Sequence, residues 1–170
     1  MSEYKERNEF GQPSEQLVRS ELEQRGWLVH PWGRSSFPAA INNALSVWRD
    51  TYSRPCRLRW FPEFLILKPG DPQSLRAVEV KRHRGIPQVS RLALNTYLRL
   101  ESELWTPVLI VFHNPDGDQD SILGALPAGE ALMSGKSQWG NVEYGSGEPF
   151  FNVDPSKLHP FDKFFGAKKP

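Results

Sequence analysis

The chain is expected to fold as an α/β domain built on a mixed sheet. Three observations predict this. Helical and strand-like periodicities alternate in the order α-β-(α)-β-β-α-β-β. The continuous apolar run Thr106-Pro-Val-Leu-Ile-Val-Phe112 reads as a central strand buried on both faces. Two further strand-like segments are separated only by Lys68-Pro-Gly-Asp-Pro-Gln73, a turn-forming stretch that sets them side by side.

Taken in order, residues 13–25 are predicted as a helix. Pro13 and Ser14 suit its start and Gly26 its end, and Val18 and Leu22 form an apolar stripe beside Leu17. Trp27-Leu-Val-His30 is a short strand. A second helix is expected over 38–50, where Ile41, Ala44, Leu45 and Trp48 follow the i, i+3, i+4, i+7 pattern and would pack on the core. Strands follow at 60–67 and 75–81, then a helix at 87–104 with Val89, Leu92, Thr96, Leu100 and Leu104 down one side. After the apolar run, Asn114-Pro-Asp-Gly117 is a turn, 121–126 a strand and 127–134 a short helix. Beyond Gly135 the periodicity fades, but Trp139, Tyr144, Phe150, Phe151, Phe161, Phe164 and Phe165 are too many aromatics for a disordered tail. The expected organisation is therefore one domain over 1–135, with a helical insertion at about 31–56. An aromatic-rich, irregular extension over 136–170 would pack on it.

A length of 170 residues is enough for one sizeable core. The one cysteine, Cys56, excludes a disulfide framework and a cysteine-rich zinc or iron–sulfur site, and fits a reducing compartment. The first residues are polar, and no apolar run approaches the ~18 residues of a membrane span, so the expectation is a cytoplasmic protein with no membrane partner. A net charge of +1 gives no global attraction to nucleic acid. Its distribution is uneven, with Arg49, Arg54, Arg57, Arg59, Arg76, Lys81, Arg82, Arg84, Arg91 and Arg99 concentrated in the central third. That pattern points to a local anionic partner, or to a set of solvated arginines.

Spacing converts into direction in the strands. Glu79 and Lys81 share one face, while Val78 and Val80 point to the other. Glu63 shares a face with Phe61, Leu65 and Leu67, where a carboxylate needs a cation or a metal as partner. A hairpin link would bring Glu63 near Glu79. In the first helix Glu15, Val18 and Leu22 fall at i, i+3, i+7, so Glu15 lies on the apolar stripe, either in this site or paired with an arginine at the rim.

The motifs Gly11 to Glu15, Gly26-Trp27-Leu28-Val29, Phe61-Pro62-Glu63 and Val78-Glu79-Val80-Lys81 occur in the order that resembles the PD-(D/E)XK nuclease superfamily. Asn95-Thr-Tyr97 and the run from Thr106 to Phe112 continue the likeness, which spans about residues 10–113. The resemblance implies a restriction endonuclease-like three-layer core (αβββαβ). It also implies a site in which Glu63, Glu79 and the Val80 carbonyl hold Mg²⁺ or Mn²⁺ and Glu15 holds a second metal or its water. Lys81 would orient or help deprotonate the attacking water. The chain departs from the family at Glu63, where aspartate is usual. One extra methylene means that the metal sits further out or the side chain folds back.

Arg57, Arg59, Arg82, His83, Arg84 and Gln88 are candidate nucleic-acid contacts. The alternatives are a solvated strand end for Arg82, His83 and Arg84, a plain helix start for Gln88, and structural neutralisation of Glu63 by Arg57 and Arg59, which share its face if the strand extends back that far. Tyr97 either supports the lysine or fills core, and His30, His113 and His159 lack ligand spacing. The function implied is a metal-dependent DNA endonuclease of a defence, repair or mobile-element system. The alternatives are a Holliday-junction resolvase, for which the low net charge is unusual, and a non-catalytic nucleic-acid-binding or scaffolding subunit. The low charge also suggests a homodimer or another protein partner that supplies DNA affinity or targeting.

Overall fold

Unbroken burial over residues 77–80 of one strand decides the architecture. Val78 and Val80 are buried on one side of the sheet and Ala77 and Glu79 on the other, so both faces must be covered. The computed structural model describes residues 3–33, 36–41, 44, 60–117, 123–134 and 150–168. Its elements are α1 (Glu3–Gln24), β1 (Leu28–Pro31), β2 (Phe64–Lys68), β3 (Asp71–Arg82), β4 (Gln88–Ser90) and α2 (Arg91–Leu104). They continue with β5 (Val108–His113), β6 (Leu123–Pro127), α3 (Ala128–Ser134), β7 (Phe150–Asn152), β8 (His159–Pro160) and α4 (Phe161–Phe165). The main sheet has the order β1-β2-β3-β5-β6-β8. It is mixed: β3 and β5 run parallel, and the other neighbours are antiparallel.

Val18 and Leu22 of α1 and Phe161 and Phe165 of α4 cover the face made by Phe64, Ile66, Val78, Val80, Leu109 and Val111. On the opposite face Ala93, Leu94, Tyr97 and Leu100 of α2, with Ala128 and Ala131 of α3, cover Ala77, Val108, Ile110, Phe112 and Leu126. The result is three layers with the parallel pair at the centre. Burying such a side chain contributes about 1.5–3 kcal/mol, so the continuous apolar run of β5 anchors both cores.

Several boundaries differ from the expectation. Helix α1 starts well before Pro13, which lies inside it, although proline removes one helical hydrogen bond there. Gly26, at φ 80°, terminates it in the left-handed conformation. The β2–β3 connection is tighter than the composition suggested. Lys68 pairs with Asp71 around Pro69 and Gly70 (φ 80°), which has the residue pattern of a type II turn. Strand β3 therefore begins at Asp71, ahead of Leu75. Ser74 fills the irregularity beside it, accepting from the Lys68 N–H at 2.7 Å and donating to the Asp71 carbonyl at 2.6 Å.

The helix expected over 87–104 begins only at Arg91. Ser90 caps it, its side chain accepting from the Ala93 N–H at 3.2 Å, while Gln88 to Ser90 pair with Phe150 to Asn152. The extension after 135 is not irregular over its described part. β8 joins the main sheet, and Phe161 and Phe165 are buried in the core. Of the expected helix at 38–50, positions 39–41 and 44 are helical, but Ile41 and Ala44 are exposed, so these two members of its stripe do not reach the core. Leu45 and Trp48 lie outside the described residues. No helix among the described residues is long and apolar enough to cross a membrane.

Candidate active site

The site forms where β2 enters the sheet and β3 approaches its carboxyl end. Glu79 is 3% exposed, and it follows Ala77 on the face covered by α2. Glu63 lies just ahead of β2, not within it as the strand pattern suggested. Its carbonyl instead receives the N–H groups of Trp32 (2.8 Å) and Gly33 (3.2 Å), continuing the β1–β2 ladder. In the β2–β3 register Phe64 is opposite Val78 and Leu65 opposite Ala77. One step further along that register, Glu63 stands opposite Glu79. Glu15 reaches the same place from α1, half-buried at the edge of the sheet.

The electrostatics tie these residues together. Lys81 forms an ion pair with Glu79 Oε1 and is itself 29% exposed. Burial disfavours its charge, but Glu79, then Glu63 and Glu15, together raise its pKa above the usual lysine value. Burial and then the nearby Glu79 charge raise the pKa of Glu15, and Lys81 only partly offsets them. Tyr97, 1% exposed on the inner face of α2, has its pKa pushed well up by burial, then by the charge of Glu79 and a hydrogen bond to it, with Glu63 adding a smaller effect. Lys81 is thus held as a cation, and Tyr97 as a neutral donor. A raised lysine pKa favours orienting water and neutralising phosphate charge over deprotonating water.

The remaining oxygen of the buried carboxylate, Glu79 Oε2, has no hydrogen-bond partner. A buried, orphaned carboxylate oxygen is costly unless something else meets it. Hard divalent cations bind such oxygens, so the donor chemistry fits Mg²⁺ or Mn²⁺. Among the described residues no three His, Cys, Asp or Glu side chains gather closely enough to hold a metal.

The other expected contacts fall in three groups. Arg82 ends β3, where His83 and Arg84 follow it. The His83 Nδ1 lies 2.8 Å from the Gly85 carbonyl, and Arg84 pairs with Asp116 at 3.1 Å. Gln88 belongs to β4, not to a helix start, and donates to Asn152 Oδ1 at 3.0 Å, so it ties the small sheet together. Arg57 and Arg59 lie outside the described residues.

Two further residues near the site carried a readable signal. Ser14 is spaced i, i+4, i+8 with Val18 and Leu22, which turns it inward, and it meets His113 Nδ1 at 2.7 Å. Burial, then Arg82 and His83, lower the His113 pKa, so it is neutral near pH 7. Tyr97 shares a buried stripe with Ala93, Leu94 and Leu100, where a hydroxyl requires a partner.

No family model matches the chain, and no curated protein does. Among solved structures, that of Hjc, a Holliday junction resolvase from the archaeal hyperthermophile Archaeoglobus fulgidus, is similar over 94% of this chain and 98% of that one. The TM-score is 0.56 and the identity 13%. The likeness establishes the fold: this chain has a restriction endonuclease-like α/β architecture, with a mixed central sheet flanked by helices.

Proposed function

We propose that the protein is a divalent-metal-dependent DNA endonuclease that hydrolyses phosphodiester bonds at the Glu15, Glu63, Glu79 and Lys81 cluster. The observation that carries this reading is the buried Glu79 carboxylate, with Lys81 on one oxygen and no partner on the other, facing two more acids. The charges of Glu63 and Glu15 are both felt at Lys81, so these acids lie within electrostatic reach of the Glu79–Lys81 pair. Glu63, Glu79 and the Val80 carbonyl would hold Mg²⁺ or Mn²⁺, with Glu15 completing the site. When bound, the metal supplies Lewis acidity toward the phosphate and lowers the pKa of a coordinated water.

The chain's own residues have distinct tasks. Lys81 stays protonated, orients the attacking water and offsets charge on the phosphate. Tyr97 hydrogen-bonds Glu79 and restricts its rotation. Arg82, the last residue of β3, and His83 and Arg84 after it would meet the phosphate backbone.

A second reading within this class is a Holliday-junction resolvase, favoured by the likeness to the archaeal resolvase over nearly the whole of both chains. It carries with it a homodimer, which would also supply the DNA affinity that a net charge of +1 does not. The test is to incubate the protein with plasmid, single-stranded DNA, RNA and a four-way junction, with and without Mg²⁺ or Mn²⁺. Glu79→Ala and Lys81→Ala variants are run alongside. Metal-dependent cutting lost in both variants is the expected result. Cutting that survives both removes the site assignment, and symmetric cutting of the junction alone, by a species that sizes as a dimer, selects the resolvase. No cutting and no metal uptake by calorimetry leaves a binding or scaffolding subunit.

A further inference from the structure

Gly33 is buried just past the end of β1, and its conformation is not the left-handed one for which glycine is usually required. What excludes a side chain there is proximity. A Cβ on Gly33 would lie 2.6 Å from Glu63 Oε2, 3.0 Å from Glu63 Cα and 3.1 Å from the Pro62 carbonyl oxygen. The backbone around it is tied on both sides. The Gly33 N–H donates to the Glu63 carbonyl (3.2 Å), while the Gly33 carbonyl accepts from the Ser36 N–H (2.9 Å) and hydroxyl (2.7 Å). A methyl group at 33 therefore meets a backbone held by hydrogen bonds and, closest of all, the Glu63 carboxylate.

We propose that Gly33 is a positioning residue for Glu63: the space left by its missing side chain receives the folded-back carboxylate. A glutamate can thereby occupy a ligand position close to the sheet despite its extra methylene. This rests on the reading above that Glu63 faces the metal. The charge of Glu63 is felt at both Lys81 and Tyr97, which puts its carboxylate within electrostatic reach of the site.

Gly33→Ala, Glu63→Asp and the double variant are compared with wild type by Mn²⁺ binding, followed by electron paramagnetic resonance. In the metal-free proteins the Glu63 side-chain carboxyl is followed by ¹³C NMR, and folding is checked by thermal melting. Gly33→Ala is expected to weaken Mn²⁺ binding about tenfold or more with Glu63 present, and to move the Glu63 carboxyl resonance. In the Glu63→Asp background the same change should weaken binding less than about twofold, because the shorter side chain does not need the space. Equal weakening in both backgrounds overturns the proposal, because Gly33 would then serve chain packing alone. An unmoved resonance overturns it as well. If wild type and Glu79→Gln both take up no Mn²⁺, the metal reading fails, and the resonance alone decides whether Gly33 positions Glu63.

Discussion

Two groups of charges sit along one helix and are built in opposite ways. Near the end of α1, Arg25 is 7% exposed and meets Glu21 Oε2 and Asp162 Oδ1, each at 2.6 Å, and the Gly166 carbonyl at 2.8 Å. Its guanidinium also stacks 4.9 Å from the centre of the Phe161 ring, and Lys168 reaches Glu21 at 2.9 Å. Two acids are matched by two cations. Burial works against the Glu21 charge, but Lys168 and Arg25 outweigh it and lower its pKa. About 9 Å back along the same helix, Glu15 shows the reverse: burial and the Glu79 charge raise its pKa. The first group is what stability selects, since it ties α1 to the chain's last helix. The second gathers Glu79, Glu63 and Glu15 within electrostatic reach of Lys81 and leaves one buried oxygen of Glu79 without a hydrogen bond, which a metal cation would meet.

The sharpest way to break that contrast is to neutralise each centre. Glu79→Gln keeps the shape but removes the charge that Lys81 and a metal would share. Cleavage is expected to fall about 10³-fold, measured as kcat/KM on the substrate found above. A loss smaller than about tenfold would mean that the acidic group has no catalytic purpose. Arg25→Ala should do the opposite. It leaves Glu21 and Asp162 without their shared partner, lowering stability by about 2–3 kcal/mol in denaturant titration, with cleavage per folded molecule unchanged.

A smaller effect tests the place of Glu15 in the acidic group. Because the pKa of Glu15 is raised by folding, its carboxyl favours the folded state below the ordinary carboxylate range, and this contribution is lost as pH rises through the raised value. Glu15→Gln should therefore melt above wild type by about 1–2 °C at neutral pH without metal, the partial exposure keeping the effect small. At pH 4 the two should coincide. Added Mg²⁺ should reverse the neutral-pH order, because only wild type gains a ligand. A variant that melts lower than wild type in the absence of metal would show that Glu15 is paired as a structural acid.

Much of this contrast was readable in the sequence, and its gaps have physical causes. Spacing alone put Glu79 with Lys81 and turned Glu15 inward, because strand and helix periods fix direction. The turn composition at Pro69 and Gly70 set β2 beside β3. The start of α2 was misread because Val89 continues a helical stripe, whereas its burial comes from pairing with Phe151 about sixty residues later. No local pattern announces a partner that distant. Arg25 was invisible for the same reason, since its meaning depends on Asp162 and Gly166. The role of Gly33 is equally non-local, because it is defined by the approach of Glu63.

The smallest expected change separates the two groups most finely. Tyr97 belongs to both worlds: its ring fills the core beside Leu94 and Leu100, and its hydroxyl hydrogen-bonds Glu79. Phenylalanine keeps the ring and removes only the donor. Burial holds the hydroxyl protonated well beyond neutral pH, so the donor is present throughout the working range. Stability should drop by about 1 kcal/mol, less than for Arg25→Ala, while cleavage falls severalfold because Glu79 can now rotate. If Tyr97→Phe instead destabilised the protein more than Arg25→Ala, the acidic group would be the stronger structural tie. The Glu79–Lys81 pair would then be a packing device, with Tyr97 as its keystone.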